Sequence, residues 1–211
     1  MAVSFDLFGT LVTVDRPTVP ANAVAAALRD RDVPVPDDWR TAYREVHIDA
    51  PEGAEVPLPA HVATALRSRG VDAPGNTPRR AVVSAFDPAV ETRPGAVEAV
   101  AAAADAGPVA LCSNCAVPEL VGRTLVRSDL SRDDFDCIVS SVACGWRKPH
   151  PKMFETVADR LGVAPDDLVH VGDDPETDGG IEAIGGTFVD VADTSLADFA
   201  TRVESNTGWP E

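Results

Sequence analysis

The chain has 211 residues, and its 34 Asp and Glu residues outnumber its 18 Lys and Arg residues, which gives a formal net charge of -16. This length is enough for the core of one domain with a smaller insert, whereas the acidic balance disfavours nucleic acid and anionic membranes as partners, because both bind basic surfaces. Since the sequence has neither a signal-peptide pattern nor a run of about 18 apolar residues, we expect a cytoplasmic protein.

The first apolar run, Ala2–Asp6, predicts a short buried strand. No strand pattern follows between about Asp15 and Asp87. Four helical patterns lie there instead, separated by Pro- and Gly-rich connectors: Asn22–Arg31, Asp37–His47, Ala60–Arg69 and Pro78–Phe86. An all-helical insert after the first strand favours a cap over the sheet. We therefore predict a core domain of residues 1–14 and 88–211 and a helical cap domain of residues 15–87, with an elaborate crossover as the alternative.

Beyond this insert, strand and helix patterns alternate. An Ala-rich helix is predicted at Ala96–Ala106. The apolar runs that predict strands are Pro108–Cys112, Cys137–Val142, Leu168–Gly172 and Thr187–Val191, and the helical patterns between them are Val117–Leu125, Pro151–Leu161 and Gly180–Ile184. The strand runs are continuously apolar rather than alternating, as in strands that are buried on both faces. The pattern predicts an α/β fold with a Rossmann-like parallel sheet core.

Reactive side chains follow four of these strands. In order along the chain they are Asp6 with Gly9 and Thr10, Ser113 with Asn114, Lys148 after Arg147, and Asp173 with Asp174 and Asp178. Ligands of such sheets bind beyond the carboxyl ends of the strands, so we expect these groups to meet. A carboxylate can attack phosphorus, clustered carboxylates suit Mg²⁺, and a Lys and a Ser hydroxyl can hold phosphoryl oxygens. Gly9 permits a sharp turn that presents N–H groups to an anion.

With these motifs in this order, the chain resembles the haloacid dehalogenase (HAD) superfamily over essentially its whole length. The matching motifs are Asp6 to Leu11 in the first, Ser113 in the second, Lys148 before Pro149 in the third, and Gly172, Asp173 and Asp178 in the fourth. A helical cap between the first two motifs is also a feature of the family. The resemblance implies a hydrolase that acts on a small, phosphorylated molecule and uses Mg²⁺.

The resemblance also implies roles for individual residues. Asp6 would be the nucleophile, catalysis would involve Ser113 and Lys148, and phosphate would be bound by Gly9, Thr10, Ser113, Asn114 and Lys148. The metal ligands would be Asp6, the backbone carbonyl of Phe8 and Asp173, with Asp178 acting through water or by pairing with Lys148. Asp174 is a further candidate near the metal. Arg147, Trp146 and His150 are candidates for substrate contact, with packing or surface roles as the alternative for Trp146 and Arg147, whereas His47, His61 and His170 are expected to be structural.

Phe8 is the position at which this chain departs from the phosphatases of the family. These usually carry a second Asp there, which serves as the general acid and base for the leaving group. Haloacid dehalogenases lack that Asp, and the Ser113-Asn114 pair also suits them, but they need no metal and usually have Ser and Asn at Asp173 and Asp174. The sequence favours a Mg²⁺-dependent phosphatase. The alternatives are a metal-independent 2-haloacid dehalogenase and a non-catalytic member that binds phosphate or metal.

Two further features of the composition bear on the site. Only two residues, Lys148 and Lys152, are lysines, against 16 Arg. A Lys-poor, Asp-rich chain is similar to proteins of salt-loving archaea or bacteria, in which salt screens the self-repulsion of the acidic surface. The motif Cys112-Ser-Asn-Cys115 has redox or metal-site spacing, but no second pair of this spacing accompanies it, and we expect buried thiols.

Overall fold

The computed structural model describes residues 1–205, so the last six positions of the predicted core domain, 206–211, lie outside the described residues. One sheet has five parallel strands: β1 (Ala2–Phe5), β4 (Val109–Ser113), β5 (Cys137–Ser140), β6 (Leu168–Gly172) and β7 (Thr187–Asp190). Their order across the sheet is β5-β4-β1-β6-β7. Helices flank this sheet, and the predicted α/β fold is therefore confirmed.

The central strand β1 packs against both layers of helices because its side chains alternate between the two faces of the sheet. Val3 and Phe5 belong to the larger apolar cluster. The ring of Phe5 meets that of Phe199 edge-to-face, with centroids 5.5 Å apart. Ala2 belongs to a second cluster on the opposite face, together with Met153. The first face is covered by α5 (Ala96–Ala106) and α9 (Leu196–Glu204), and the second by α8 (Pro151–Leu161).

Four helices lie in the chain between two short strands that the sequence analysis missed. The helices are α1 (Pro20–Arg29), α2 (Trp39–Arg44), α3 (Leu58–Arg67) and α4 (Thr77–Ala85). The strands, β2 (Val12–Val14) and β3 (Val90–Thr92), pair antiparallel. Three residues are too few to display an alternating pattern, which explains the omission. The division into a core and a cap domain stays a prediction.

Other differences from the sequence-based elements are local. Helix α6 (Leu120–Arg127) begins three residues later than predicted, because Glu119 has a left-handed backbone with φ +69° and the chain turns there before the helix starts. The strand predicted to reach Val142 ends at Ser140, and Val142 belongs to the short helix α7 (Ser141–Cys144). The pattern at Gly180–Ile184 forms part of a 3₁₀ helix, Asp178–Ile184. None of the helices within residues 1–205 is both long and apolar enough to cross a membrane.

Candidate active site

The topology of the sheet brings the predicted strand-end residues to one place. Strand β1 lies between β4 and β6. Asp6 follows β1 directly, Ser113 is the last residue of β4, and Asp173 follows β6 directly. Parallel strands end at the same edge of the sheet, so these three positions are neighbours although Asp6 and Asp173 lie 167 positions apart in sequence. The carboxylates of Asp6, Asp173 and Asp178 offer oxygen atoms that all lie within 4.8 Å of one another.

Lys148 joins two of these carboxylates. The Lys148 side chain is only 2% exposed, and its ammonium group donates to Asp6 Oδ1 at 2.7 Å and to Asp178 Oδ1. Burial alone would lower the pKa of Lys148, but the carboxylates of Asp6 and Asp178, together with the Cys112 thiol, hold it above its usual value. The ammonium therefore stays charged. One positive charge faces three carboxyl groups, so the fully ionised site would carry an excess of two negative charges.

The two carboxylates bonded to Lys148 differ in their environment. Burial raises the pKa of the Asp6 carboxyl, and the Lys148 ammonium offsets only part of this effect. Burial would also raise the pKa of Asp178, but the hydrogen bond from His170 and the charge of Lys148 hold it well below its usual range. Asp178 is consequently a permanent anion, whereas the charge of Asp6 depends on the cations beside it.

A series of buried hydrogen bonds fixes the position of the Asp178 carboxylate. Its Oδ2 accepts the backbone N–H groups of Asp173 and Asp174, each at 3.1 Å. Its Oδ1 lies 3.1 Å from Nε2 of His170, and Nδ1 of that imidazole lies 2.8 Å from the Ser4 hydroxyl. Because burial lowers the pKa of His170, the ring is neutral, so Nε2 carries the proton and Nδ1 accepts from Ser4. His170 was expected to be structural; its bond to Asp178 makes it a positioning residue for the site.

Two glycines let the carboxylates come this close to the backbone. Gly9 has φ +102°, and a Cβ atom there would lie 2.3 Å from an oxygen of the Asp173 carboxylate. A Cβ atom on Gly172 would lie 2.2 Å from an oxygen of Asp178. The Thr10 hydroxyl completes this packing by donating to Asp173 Oδ1 at 2.8 Å. Side chains larger than hydrogen at Gly9 and Gly172 would therefore displace the acidic groups.

Asn114 and Ser113 have different surroundings in the structure. The Asn114 amide donates to the Lys148 carbonyl at 3.0 Å and accepts the Lys148 backbone N–H at 2.8 Å. It thus fixes the backbone that carries the Lys148 ammonium, although its predicted role was phosphate binding. The Ser113 hydroxyl is fully buried and has no hydrogen-bond partner among residues 1–205. An unpaired buried hydroxyl is costly, so the Ser113 hydroxyl is a donor that lacks a partner among the described residues.

A polar cavity of about 480 Å³ opens over the three carboxylates and Lys148, and Ser113 is not among its lining residues within the described chain. Its lining includes Asp6, Lys148, Asp173 and Asp178, together with Phe8, Gly9, Asn114, Asp174 and Arg147. Arg16, which the sequence analysis did not single out, also lines it, and its guanidinium lies 5.8 Å from the centroid of the Phe8 ring. The only sequence signal for Arg16 was its position soon after the first motif, where the chain leaves the sheet.

His150 and Trp146 are not among the residues that line this cavity within the described part of the chain. Their rings stack on each other with centroids 4.2 Å apart. His150 Nδ1 accepts the backbone N–H of Lys152 at the start of α8, and a Cβ atom on Gly53 would lie 2.5 Å from the imidazole. These contacts give His150 a packing and helix-capping role.

The residues of the cluster fit a hard divalent cation. Mg²⁺ prefers carboxylate and carbonyl oxygens, and Asp6 and Asp173 offer carboxylates on adjoining strand ends. The Phe8 carbonyl accepts no hydrogen bond from residues 1–205 and is available as a third oxygen. The excess of carboxylates over ammonium groups argues in the same direction. The donor set is thus compatible with a hard divalent cation.

The cysteines are free thiols in the described chain. Burial raises the pKa of Cys112 to about 12 and that of Cys115 to about 11. Both thiols are therefore protonated at neutral pH, and protonated thiols are poor nucleophiles and metal ligands.

The sequence profile of the haloacid dehalogenase-like hydrolases matches residues 1–185. The chain belongs to this family, and it is a hydrolase of the HAD fold. No curated protein sequence matches it.

Several solved structures share the fold at low sequence identity. A 2-haloacid dehalogenase from Pseudomonas syringae pv. Tomato DC3000 is 22% identical, with a TM-score of 0.66 over 90% of this chain and 85% of that chain. A HAD phosphatase from Thermococcus onnurineus is 20% identical, with a TM-score of 0.56 over 90% and 85%. The magnesium-bound HAD hydrolase YfnB from Bacillus subtilis is 19% identical, with a TM-score of 0.53 over 89% and 86%. Dehalogenases and phosphatases both occur among these structures, and at such identities the likeness extends to the fold alone.

Proposed function

We propose that this chain is a Mg²⁺-dependent phosphomonoesterase that acts through an aspartyl-phosphate on Asp6. The observation that carries the proposal is the meeting of Asp6, Asp173 and Asp178, whose carboxylate oxygens lie within 4.8 Å of one another. With all three carboxylates ionised, Lys148 alone would leave two negative charges uncompensated there. Displacement of halide from carbon by a carboxylate requires no divalent cation, whereas transfer of a phosphoryl dianion does benefit from one.

The proposed reaction has two steps. An oxygen of Asp6 bonds to phosphorus while the bond from phosphorus to the ester oxygen breaks, and the electron pair leaves with that oxygen. Water then attacks phosphorus and displaces Asp6, which releases inorganic phosphate. Lys148 and the Ser113 hydroxyl would hold the phosphoryl oxygens, with the backbone at Gly9 and Thr10 turned around them.

The metal would be held by Asp6, Asp173 and the Phe8 carbonyl. Asp178 supports it indirectly, since its oxygens are already bonded to Lys148, His170 and two backbone N–H groups. Bound Mg²⁺ supplies charge neutralisation at the phosphoryl group. The helices within residues 15–87 would act as a cap that carries part of the substrate site, because Leu58 and Phe86 border a cavity that adjoins Phe8.

A metal-independent 2-haloacid dehalogenase is the second candidate. Phe8 favours it, because no carboxylate stands where a phosphatase of this family has its general acid. The 2.7 Å bond from Lys148 to Asp6 favours it as well, since an ammonium group alone can keep a nucleophilic carboxylate charged.

The experiment that tests the proposal is acid quenching of the enzyme during turnover of ³²P-labelled phenyl phosphate with Mg²⁺ in molar salt. We expect labelled protein in the wild type and none in Asp6→Asn, which keeps the size of the side chain and removes the nucleophile. Asp166→Asn is the matched control, because Asp166 is exposed and outside the site. Equal turnover of phenyl phosphate by wild type and Asp6→Asn would exclude Asp6 as the nucleophile.

A further inference from the structure

A second cavity, of about 230 Å³, adjoins the polar one and has a different character. The two cavities share Phe8, Val14, Arg16 and Asn114 in their linings. Apart from Asp15, Arg16 and Asn114, the second cavity is bordered by apolar residues. It lies where the first turn of α3 and the segment after α4 meet the loop that follows β4. A molecule with its phosphoryl group at Asp6 could therefore extend past Phe8 into an apolar space.

The wall of this apolar cavity is fixed before any ligand binds. The backbone N–H of Leu58 donates to the Ala116 carbonyl at 2.9 Å, which ties the start of α3 to the loop after β4. The N–H of Cys115 donates to the Ser141 hydroxyl at 2.8 Å, and its thiol donates to the Val117 carbonyl. A preformed apolar cavity binds apolar groups with little cost in ordering.

From these observations we propose that the apolar cavity is the subsite for an aromatic leaving group, so that the substrates are aryl phosphates. This inference rests on the proposed phosphomonoesterase function. Phe8, at the shared wall, supplies no proton to a leaving oxygen, and a phenolate leaves unprotonated far more readily than an alkoxide does. The same ring and the Arg16 guanidinium above it offer a surface for an aromatic ring through stacking and cation–π contact.

Arg16 lies between the proposed position of the phosphoryl group and that of the aromatic ring. Its side chain lines both cavities and forms no salt bridge with any carboxylate of residues 1–205. As the bond from phosphorus to oxygen breaks, the electron pair stays on the phenolic oxygen, and a nearby guanidinium stabilises that charge. The phenolate then takes a proton from water.

The test compares kcat/KM for methyl phosphate, phenyl phosphate and 4-propylphenyl phosphate. The leaving groups of the two aryl esters, phenol and 4-propylphenol, are nearly equal in acidity. Each buried methylene contributes up to about fourfold in binding, so the propyl group is expected to raise kcat/KM by up to about 50-fold. Ala116→Leu should fill the cavity and remove this gain while turnover of methyl phosphate is retained. Ala101→Leu, at an exposed position of α5, is the control and should keep the wild-type ratio.

A wild type that hydrolyses all three esters without any gain from the propyl group would overturn the subsite while leaving the proposed function in place. If no ester is hydrolysed, the proposed phosphomonoesterase function is wrong. The subsite is then tested by measuring the binding of methylphosphonate and 4-propylphenylphosphonate by calorimetry. Tighter binding of the propylphenyl compound, abolished in Ala116→Leu, would then support the subsite. Equal binding of the two phosphonates would reject it.

Discussion

The ammonium group of Lys148 donates to Asp6 Oδ1 at 2.7 Å, although 142 positions separate the two residues in sequence. The bond joins one of only two lysines in the chain to the proposed nucleophile. Burial raises the pKa of Asp6, and this ammonium opposes that effect by favouring the charged carboxylate.

Lys148→Met should therefore abolish most of the activity at neutral pH. Without the ammonium, the pKa of Asp6 rises further, so the residual activity should increase with pH as the carboxyl ionises. Removal of one member of a buried ion pair typically costs about 3–5 kcal/mol, which urea unfolding would detect. The control is Lys152→Met, because Lys152 is exposed and its ammonium lies 4.1 Å from the centroid of the Trp146 ring. Wild-type activity in Lys148→Met would show that the ion pair is not needed for turnover.

The second prediction concerns Asp173, the acidic residue that follows β6. Asp173→Asn should raise the Mg²⁺ concentration for half-maximal rate by at least about tenfold, because one charged ligand of the cation is lost. Thr10→Val keeps the volume of residue 10 but removes the 2.8 Å hydrogen bond to Asp173, so its effect should be in the same direction and smaller. Titration of activity with Mg²⁺ measures both. Unchanged half-saturation in Asp173→Asn would place the metal elsewhere.

The glycine after Phe8 sets the third prediction. Gly9→Ala would place a Cβ atom 2.3 Å from an Asp173 oxygen at a backbone φ of +102°, so activity should be lost and the free energy of unfolding should fall by at least about 1 kcal/mol. Gly122→Ala in α6 is the matched control, since a Cβ atom there meets nothing within 4 Å. That variant should gain up to about 1 kcal/mol in stability from its helix propensity and stay active. An active, stable Gly9→Ala protein would contradict the described packing.

The fourth prediction concerns the pH dependence of stability and the salt bridges of Asp87, near the end of the four-helix segment. Asp87 pairs with Arg127 and Arg123 of α6, and these bonds hold its pKa below the usual range. A carboxyl with a lowered folded-state pKa stabilises the protein above its unfolded pKa of about 3.9, and this contribution fades as pH falls toward the folded value. Asp87→Asn should thus cost up to about 1 kcal/mol at pH 7, as partly exposed pairs do, and less at pH 3.

Urea unfolding at the two pH values checks this expectation. Asp129→Asn serves as the control, because Asp129 is exposed and forms no salt bridge within residues 1–205. A cost for Asp87→Asn that is the same at pH 7 and pH 3 would mean that packing, rather than charge, accounts for the effect of Asp87.

The sheet and most residues of the cluster could be predicted from the sequence because each depends on local pattern. Continuous apolar runs mark buried parallel strands, and strand ends collect ligand groups, so Asp6, Ser113 and Asp173 could be placed together. The role of His170 could not, since it depends on the register that sets Ser4 opposite His170 across β1 and β6. The pairing of Asn114 with the Lys148 backbone likewise depends on a tertiary contact between two loops.

The position of Arg16 also could not be predicted from the sequence. It follows the three-residue strand β2, which is too short to recognise, and that strand directs the chain toward the wall between the two cavities. The division into core and cap stays a prediction, as do the individual roles of the site residues.

The most direct test of the central claim is to measure release of phosphate from phenyl phosphate and release of chloride from 2-chloropropionate, each with Mg²⁺ and with excess chelator, in molar salt. We expect phosphate release that depends on Mg²⁺ and no chloride release. Chloride release that persists in chelator, with no hydrolysis of phenyl phosphate, would contradict it and identify the chain as a dehalogenase.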